Sequence, residues 1–262
     1  KIHHPRYDTN SWAEIHNNSY HPNGPQCIGF RDSAGNNVIR YNQCWSDAEH
    51  YFNDSIGCGS NASYRGFPGP DSDIYCNYVA NCWDDGIEAE GGGQNVRIWN
   101  NYIEKCHMAI GNAPISVGPT YIWRNVSGES YCPKHEYGNF LKMGYAIGLE
   151  EMTGHMYVFH NTILQPDGKG FGGLGCAHQS SFARYIYHCT TRNNILHVRR
   201  TDAVSISYSG GDNDYDYDLH SKGVSKGHES HGIKGTPTYV SGAGFDYTTM
   251  TDDFQLDESS FG

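Results

Sequence analysis

The sequence predicts an all-β fold, namely a parallel β-helix of about six to eight coils with inserted loops and an irregular C-terminal closing segment. Two observations support this prediction. Short segments rich in β-branched and aromatic residues recur along the chain, and Gly, Asn and Asp separate them. Each segment contains an asparagine, in most cases three positions after an aliphatic residue. Because the segments alternate as strands do, we favour stacked β-coils over helical repeats.

The repeat spacing fits coils of two or three short strands each. Successive repeated asparagines are separated by 35, 24, 24, 36 and 32 residues, and they are Asn42, Asn77, Asn101, Asn125, Asn161 and Asn193. A unit of 24 residues suits one coil, and a longer unit is the same coil with a loop inserted. Equivalent residues of neighbouring coils lie about 4.8 Å apart. We therefore expect the asparagines to sit at a turn, tolerate its unusual backbone angles and hydrogen-bond to one another in a ladder.

We assign the coils to residues 1–209, with the clearest repeats at 36–200, and a closing segment of the same domain to residues 210–262. The closing segment is polar, rich in turn residues and without a clear repeat. The N-terminal end shows no obvious cap, and an uncovered coil exposes strand edges that invite pairing with another chain. The sequence begins without methionine, which suggests a processed product or a piece of a longer protein.

Composition excludes several functional classes. The formal net charge is −11, whereas a nucleic-acid-binding surface needs basic residues. No apolar run reaches the length of about 18 residues that a membrane span requires. The 20 Tyr, 10 Phe and 5 Trp residues, spread along the chain, argue against disorder.

The nine cysteines favour an extracellular or periplasmic location with some disulfides. None lies in a CxxC pair, so their scatter does not indicate a zinc site. Cys82 and Cys106 are 24 residues apart and should be stacked neighbours, either as a disulfide or as two buried thiols. Four sequons predict N-glycans, and they begin at Asn17, Asn53, Asn61 and Asn125.

The most acidic stretch of the repeat region is NCWDDGIEAEGGG, residues 81–93. If Ile87 and Ala89 point into the coil, Glu88 and Glu90 point out on one face. The preceding coil would add Asp54 to this face, and the following coils would add Asn112 and Glu150. Such a strip of carboxylate and amide oxygens suits Ca²⁺, which takes hard oxygen ligands. The alternative is that the outward carboxylates are simply solvated.

A family resemblance extends this interpretation. The asparagine repeats, the stretch DIYCNYVANCWDDGIEAEGGGQNVRIWNNYI at 73–103 and the segment YVFHNTIL at 157–164 resemble right-handed parallel β-helix proteins of the pectate-lyase-like superfamily, in particular secreted bacterial ones. The resemblance covers roughly residues 36–200 and implies the right-handed form of the coil. It also implies a Ca²⁺ beside the uronate of the substrate, with Asn81, Glu88 and Glu90 as its ligands. Superfamily members include lyases, hydrolases, epimerases and adhesins, so the fold does not give the activity.

Residues for catalysis are less well defined. A uronate lyase needs a cation on the carboxylate, a base for the C5 proton and often an acid for the leaving oxygen. We assign these catalytic roles to Lys142, His107 and Arg124, although each also suits a solvated surface position. Substrate binding is assigned to Trp83, Trp99, Asn112 and Glu150, where the tryptophans would stack on sugar rings. The pair Asp84 and Asp85 offers a hydrolytic alternative, but adjacent strand residues face opposite sides.

The leading hypothesis is a secreted β-helix that binds or cleaves an extracellular acidic polysaccharide, as a Ca²⁺-assisted lyase if it is an enzyme. The alternative is a structural subunit of an extracellular filament or surface assembly, formed by end-to-end stacking of β-helices without catalysis. The uncapped N-terminal coil and the odd number of cysteines favour the alternative, whereas the acidic strip and the tryptophans favour the first hypothesis.

Overall fold

The structure is a computed structural model that describes residues 1–5, 11, 13, 24–47, 49–58, 61, 63–130, 132, 138–143, 153–165, 172–175, 187–198, 204–206, 211–224, 227–240 and 255–260. Within these ranges every bounded element is a β-strand. The strands are β1 (Ile2–His3), β2 (Val38–Arg40), β3 (Gln43–Trp45), β4 (Ile56–Gly57), β5 (Asp73–Tyr75), β6 (Tyr78–Glu88), β7 (Val96–Trp99), β8 (Tyr102–Asn112), β9 (Thr120–Trp123), β10 (Val126–Glu129), β11 (Asn139–Met143), β12 (Met156–Phe159), β13 (Thr162–Gln165), β14 (Gly172–Gly175), β15 (Cys189–Arg192), β16 (Ile195–Val198), β17 (Val204–Ile206), β18 (Asp214–Tyr215), β19 (Leu219–His220) and β20 (Ile233–Lys234).

The strands form two sheets, and all the pairings between these strands are parallel. The seven-stranded sheet runs in the order β18-β15-β12-β9-β7-β5-β2, so the chain returns to it once per repeat. The other sheet has 13 strands and contains β6 and β8, which are 11 residues long. The first part of β6 pairs with β3, and its end pairs with β4. This arrangement is consistent with a parallel β-solenoid, and the prediction of an all-β fold is confirmed.

The core follows the predicted inward ladder. Across the seven-stranded sheet, Ile39, Ile74, Ile98, Ile122 and Val158 pair in direct register, and all five are buried. Stacking one branched aliphatic residue on the next removes apolar surface from water at every rung. The next two positions of this row are Thr191 and Tyr215, so the aliphatic pattern ends while the register continues.

The predicted asparagine ladder is present. Asn42, Asn77, Asn101, Asn125, Asn161, Asn194 and Asp218 form it, and each asparagine donates from its backbone N and its Nδ2 to the Oδ1 of the next member. The assignment of Asn193 as the sixth member was wrong by one position. The expected aliphatic residue is replaced by Thr191 in this coil, so the pattern does not distinguish two adjacent asparagines.

The unusual backbone angle lies beside the ladder rather than within it. The residue that precedes each ladder member adopts a left-handed conformation, with φ between 53° and 63°, and these residues are Tyr41, Cys76, Asn100, Arg124, His160, Asn193 and Tyr217. Non-glycine residues rarely adopt this conformation, and it is unfavourable when unsupported. The hydrogen bonds of the following asparagine hold the turn in place, which explains why the turn accepts such different side chains.

The cysteines show both a disulfide and a thiol pair. Cys27 and Cys44 are disulfide-bonded. Cys82 and Cys106 pair in register, as predicted, and they are buried thiols rather than a disulfide. Burial, followed by the hydrogen bond to Cys106, raises the pKa of Cys82 well above its usual value. The interior of the stack therefore favours the neutral thiol at this position.

Two of the four predicted glycosylation sites are incompatible with this fold. Asn125 is fully buried in the ladder, and its Nδ2 donates to Ile98 O and Asn161 Oδ1. Asn53 is 8% exposed and donates to Asp54. Neither side chain has room for a glycan, so these two predictions were wrong. Asn61 is partly exposed in a turn and stays a prediction, whereas Asn17 lies outside the described residues.

The C-terminal part continues the stack before it changes character. β18 and β19 extend the two sheets, and β20 pairs with β19. Beyond β20 the described chain has an antiparallel bridge between Tyr239 and Leu256. The division at residue 210 stays a prediction. In the described part of the chain, no helix has the length and apolarity needed to cross a membrane.

Candidate functional site

Buried ionisable side chains converge on one face of the larger sheet. We call the group formed by Asp54, Asp85, Glu88, Glu90 and Lys142 the carboxylate centre. Asp85 and Glu88 belong to β6, Glu90 follows that strand, and Lys142 belongs to β11. Asp54 precedes β4, which pairs with the end of β6 so that Gly57 lies opposite Glu88. Three of four neighbouring coils therefore contribute to the centre, because β8 lies between β6 and β11 and supplies none of these side chains.

Lys142 is the focus of the centre. Its Nζ lies 2.5 Å from Asp85 Oδ2 and 2.8 Å from Glu90 Oε1. Glu90 Oε1 also accepts a hydrogen bond of 3.2 Å from the backbone N of Ala113. Lys142 thus bridges two carboxyl groups that the bend after β6 brings to the same side.

Asp54 and its neighbour form the second half of the centre. Asp54 Oδ1 accepts a hydrogen bond from the backbone N of Asp85 at 3.1 Å. Its Oδ2 accepts one from Asn53 Nδ2 at 3.0 Å. The backbone N of Ser55 donates to Asp85 O, which ties the two coils together on both sides of this contact. Asp54 is thereby fixed beside Asp85.

Burial makes this concentration of charge unusual. Asp85 is 0%, Glu90 2%, Glu88 5% and Lys142 9% exposed. Burial is the main cause that raises the pKa of Asp85, Glu88 and Glu90, and Glu88 reaches about 11. Lys142 keeps its charge because Asp85 and Glu90 outweigh the opposing effect of burial and raise its pKa. One lysine cannot neutralise four carboxylates, so the centre must hold protons or a further cation.

Several oxygens of the centre have no hydrogen-bond partner among the described residues. They are Asp85 Oδ1, Glu88 Oε2 and Glu90 Oε2, together with Asn53 Oδ1 beside them. Oxygens of Asp54, Asp85 and Glu88 lie within 4.8 Å of one another and could hold one metal ion. Buried polar atoms without partners are costly, and an oxygen-rich group of this size suits Ca²⁺. The chemistry of the donors therefore fits the predicted cofactor.

The predicted metal ligands are only partly together. Glu88 and Glu90 point away from the core, in which Ile87 and Ala89 lie as predicted. Both glutamates are nevertheless buried rather than solvated. Asn81 has a left-handed φ of 66° and donates its Nδ2 to Ser46 O, and its role as a metal ligand stays a prediction. Asp54 and Asp85 are the residues whose carboxylate oxygens lie close to that of Glu88.

The edge of the centre is formed by Asp84 and His107. The side chains of Asp84 and His107 are 13% and 5% exposed, and Asp84 Oδ1 lies 3.9 Å from His107 Nδ1. His107 is the second predicted catalytic residue and lies on β8, beside the strand that carries Asp85. The structure thus brings His107 to the same region as Lys142. Arg124, the third predicted catalytic residue, is exposed at the asparagine turn after β9 and has no contact with the centre.

Asn112, a predicted substrate-binding residue, is the last residue of β8. It is fully buried and donates its Nδ2 to Ala89 O at 2.7 Å. The residue in register with Glu88 is Gly111 rather than Asn112, so the alignment was off by one. The next rung pairs Asn112 with Met143, which contradicts the alignment that assigned Glu150 to this strip. Glu150 itself lies outside the described residues.

The two tryptophans do not present open faces to a sugar. Trp83 is 1% exposed and stacks on Tyr51 with 4.3 Å between ring centroids. Trp99 lies on the other sheet, in an outer aromatic row formed by Tyr75, Trp99, Trp123 and Phe159. Its centroid is 4.1 Å from that of Tyr75 and 5.6 Å from that of Trp123. Both faces of Trp99 are therefore covered, so neither tryptophan offers a free ring face for the predicted stacking on a sugar, and their role in substrate binding stays a prediction.

The sequence indicates that Asp54 and Asp85 lie in neighbouring coils, but it gives no sign of their contact with Lys142. The available signal was the likeness of Asn53–Gly57 to Asp84–Glu88, which correctly placed Asp54 one coil before Asp85. Lys142 is 57 residues away from Asp85 in the chain. An inserted segment between β10 and β11 obscures the register of that coil, so no spacing rule could identify this contact.

No family model, no curated protein and no solved structure is significantly similar to this chain.

Proposed function

We propose that this chain is a right-handed parallel β-helix of the pectate-lyase-like kind that binds an acidic polysaccharide outside the cell through Ca²⁺. The observation that supports the proposal is the group of oxygens from Asp54, Asp85 and Glu88 within 4.8 Å of one another. These carboxyl groups would hold the ion, and Asn53 Oδ1 is a further oxygen beside them. Parallel strands, repeated short coils and a disulfide are in keeping with a secreted protein of this kind.

Charge explains why the ion would matter for the ligand. A protein with a formal net charge of −11 repels an acidic polymer. Ca²⁺ takes six to eight oxygen ligands in general, so three carboxyl groups leave positions for water and for a uronate carboxylate. An ion shared by the protein and the polymer turns repulsion into attraction. The side chains of Lys142 and Asp84, 11% and 13% exposed, mark where the centre approaches the surface.

Binding is better supported than cleavage. A base that removes a proton from the sugar must reach that proton, but the Lys142 side chain is only 11% exposed and its Nζ contacts Asp85 and Glu90. Arg124 has no contact with the centre, and its guanidinium stays protonated under ordinary conditions. The proposal is therefore a polysaccharide-binding protein, and lyase activity is the result that would revise it.

The proposed function predicts a response to Ca²⁺ before any ligand is added. Calorimetric titration of Ca²⁺ into chelator-treated protein should show binding, and the melting temperature should rise with Ca²⁺ concentration. Asp54→Asn and Glu88→Gln should weaken both effects. Asp212→Asn is the matched control, because this carboxylate is 74% exposed and pairs with His188.

Affinity electrophoresis in gels that contain a uronan, with and without Ca²⁺, tests the ligand. Retardation that depends on both Ca²⁺ and Glu88 supports the proposal. A chain that neither binds Ca²⁺ nor is retarded contradicts it. Ultraviolet absorbance from unsaturated uronate ends, formed by the wild type and lost in Lys142→Met, would instead identify a lyase.

A further inference from the structure

Lys142 contacts Asp85 and Glu90 of the carboxylate centre although its strand is not paired with the strand that carries Asp85. Asp85 lies on β6 and Lys142 on β11, and β8 pairs with both strands between them. Residues two strands apart are about 9–10 Å from each other along a sheet. Even with the longer lysine side chain, the two charged groups can meet only if the residue between them on β8 leaves room.

Gly111 removes the obstacle. It occupies the rung of β8 between Glu88 and Lys142. A Cβ at this position would lie 2.3 Å from Asp85 Oδ2 and 3.0 Å from Glu90 Oε1. The carboxyl group of Asp85 therefore occupies the volume that a side chain at position 111 would fill, and there it meets Lys142 Nζ at 2.5 Å.

We propose that Lys142 and Asp85 form an intramolecular isopeptide bond, with Glu90 as the proton carrier. Reacting atoms held roughly 3–3.5 Å apart are in attack geometry. A nitrogen that touches a carboxyl oxygen at 2.5 Å is at about that range from the carboxyl carbon. Asp85 and Lys142 are 0% and 9% exposed, so little water competes for either group.

The atoms of the reaction balance without a cofactor. Glu90 Oε1, which lies 2.8 Å from Nζ, takes a proton from the ammonium group. The amine then attacks Cγ of Asp85 and forms the C–N bond. One carboxyl oxygen leaves as water with the two protons that Nζ loses, one of which Glu90 returns. Nothing is oxidised or reduced, and Glu90 ends in its starting state.

The product would be a covalent strap across the stack. It joins β6 to β11 over β8 and links positions 57 residues apart in the chain. Closing a long loop by a cross-link lowers the entropy of the unfolded chain and so stabilises the fold. The bond leaves the net charge of the centre unchanged, because one cation and one anion disappear together. The amide oxygen of Asp85 remains a hard donor, so the strap is compatible with Ca²⁺ binding.

Intact mass spectrometry of the reduced full chain tests the proposal directly. The wild type should be lighter than its sequence by one water molecule, and tandem spectra should contain a branched peptide joined at positions 85 and 142. Lys142→Arg and Glu90→Gln should each have the full sequence mass. Lys105→Arg is the matched control and should keep the loss of water, because Lys105 is a half-buried lysine outside the contacts that join Lys142, Asp85 and Glu90.

The wild type alone decides the outcome if a variant fails to fold. A folded wild type of full sequence mass, with Lys142 recovered as an unmodified residue after digestion, would overturn the proposal. Loss of water that persists in Lys142→Arg would also overturn it, because the bond would then involve another residue. These results do not depend on Ca²⁺ or a polysaccharide, so failure here is separate from failure of the proposed function.

Discussion

Asn125 Oδ1 accepts two hydrogen bonds from Asn101, each 3.0 Å long, one from the backbone N and one from Nδ2. Asn125 itself is fully buried and donates to Ile98 O and to Asn161. The Asn125 side chain thus connects four backbone or side-chain groups of the two neighbouring coils. The asparagine ladder is consequently a row of hydrogen-bonded polar side chains inside the stack and not on its surface.

Asn125→Ala should destabilise the chain by about 3–5 kcal/mol, because it leaves several buried donors and acceptors without partners at about 1–3 kcal/mol each. Asn42→Ala is the matched control from the end of the ladder, where the residue is half-exposed, and it should cost about 1 kcal/mol. Urea unfolding measures both values. Equal losses for the two variants would contradict the ladder as the source of stability.

Gly111→Ala should destabilise the protein by about 1–3 kcal/mol, the range for an overpacked interior. The added methyl group would overlap with Asp85 Oδ2, at 2.3 Å. Gly223→Ala is the control, since a Cβ there meets nothing within 4 Å. Thermal unfolding of the two variants beside the wild type gives the comparison. A neutral Gly111→Ala would mean that Asp85 does not occupy this space.

Stability should fall as the pH rises from about 4.5 to about 8, in part because of Glu229. Burial, and then the charge of Asp218, raise the pKa of Glu229 from 4.5 to about 8. The folded chain therefore holds this proton in a pH range where the unfolded chain has lost it, and the free energy of unfolding decreases across that range.

Glu229→Gln should make the profile of unfolding free energy against pH flatter between these two values. The amide can still accept the hydrogen bond that Asp218 N donates to Glu229. Asp32→Asn serves as the control, because Asp32 is exposed and its φ of 54° is one that asparagine tolerates. A Glu229→Gln profile that runs parallel to the wild type would contradict the assignment.

Trp99→Ala should cost about 1–3 kcal/mol and leave polysaccharide binding unchanged. Trp99 is stacked between Tyr75 and Trp123, and aromatic pairs add to the free energy of burial. Trp99→Phe keeps a ring in the row and should recover most of the loss. Unfolding by urea and affinity electrophoresis test the two statements separately. Loss of binding with unchanged stability would restore the role of Trp99 as a ligand contact.

We expect the chain to be monomeric and not to form filaments by end-to-end stacking. The ladder ends at Asp218, whose Oδ1 accepts from Asn194 but which offers no amide donor to a further coil. Its backbone O accepts from Ile233, so the chain's own closing segment occupies the next rung. Light scattering over a range of concentrations measures the mass. Growth of long assemblies at high concentration would support end-to-end stacking.

Much of the fold could be predicted because the same types of residue recur at equivalent positions of successive coils. Strand-forming segments and asparagines at a fixed offset give the register of most coils, and Cys82 opposite Cys106 confirms it. The prediction was off by one at Asn193, where Thr191 replaces the aliphatic residue and hydrogen-bonds to Asp218 instead. Thr191 thus occupies the inward position that an aliphatic residue fills in the other coils, but its polar side chain does not match the aliphatic repeat in the sequence.

The site was harder to predict than the fold. The outward direction of Glu88 followed from alternation, but its burial did not, because Gly57 and Gly111 on either side allow close packing that a strand pattern does not reveal. The contact between Asp85 and Lys142 depends on a missing side chain at a third position. A repeat pattern in the sequence does not reveal that the missing side chain at Gly111 allows Asp85 and Lys142 to meet.

The turns beside the asparagine ladder have a consequence for how such a protein can change over time. Their left-handed positions carry Tyr41, Cys76, Asn100, Arg124, His160, Asn193 and Tyr217, and all but the half-buried Cys76 are exposed. Neighbouring coils repeat at about 4.8 Å, so these side chains stand in a file of constant pitch. Since the asparagine ladder specifies the turn, each of these exposed side chains can be substituted without a change in the backbone. The surface chemistry of this row can therefore vary while the spacing between its side chains stays constant.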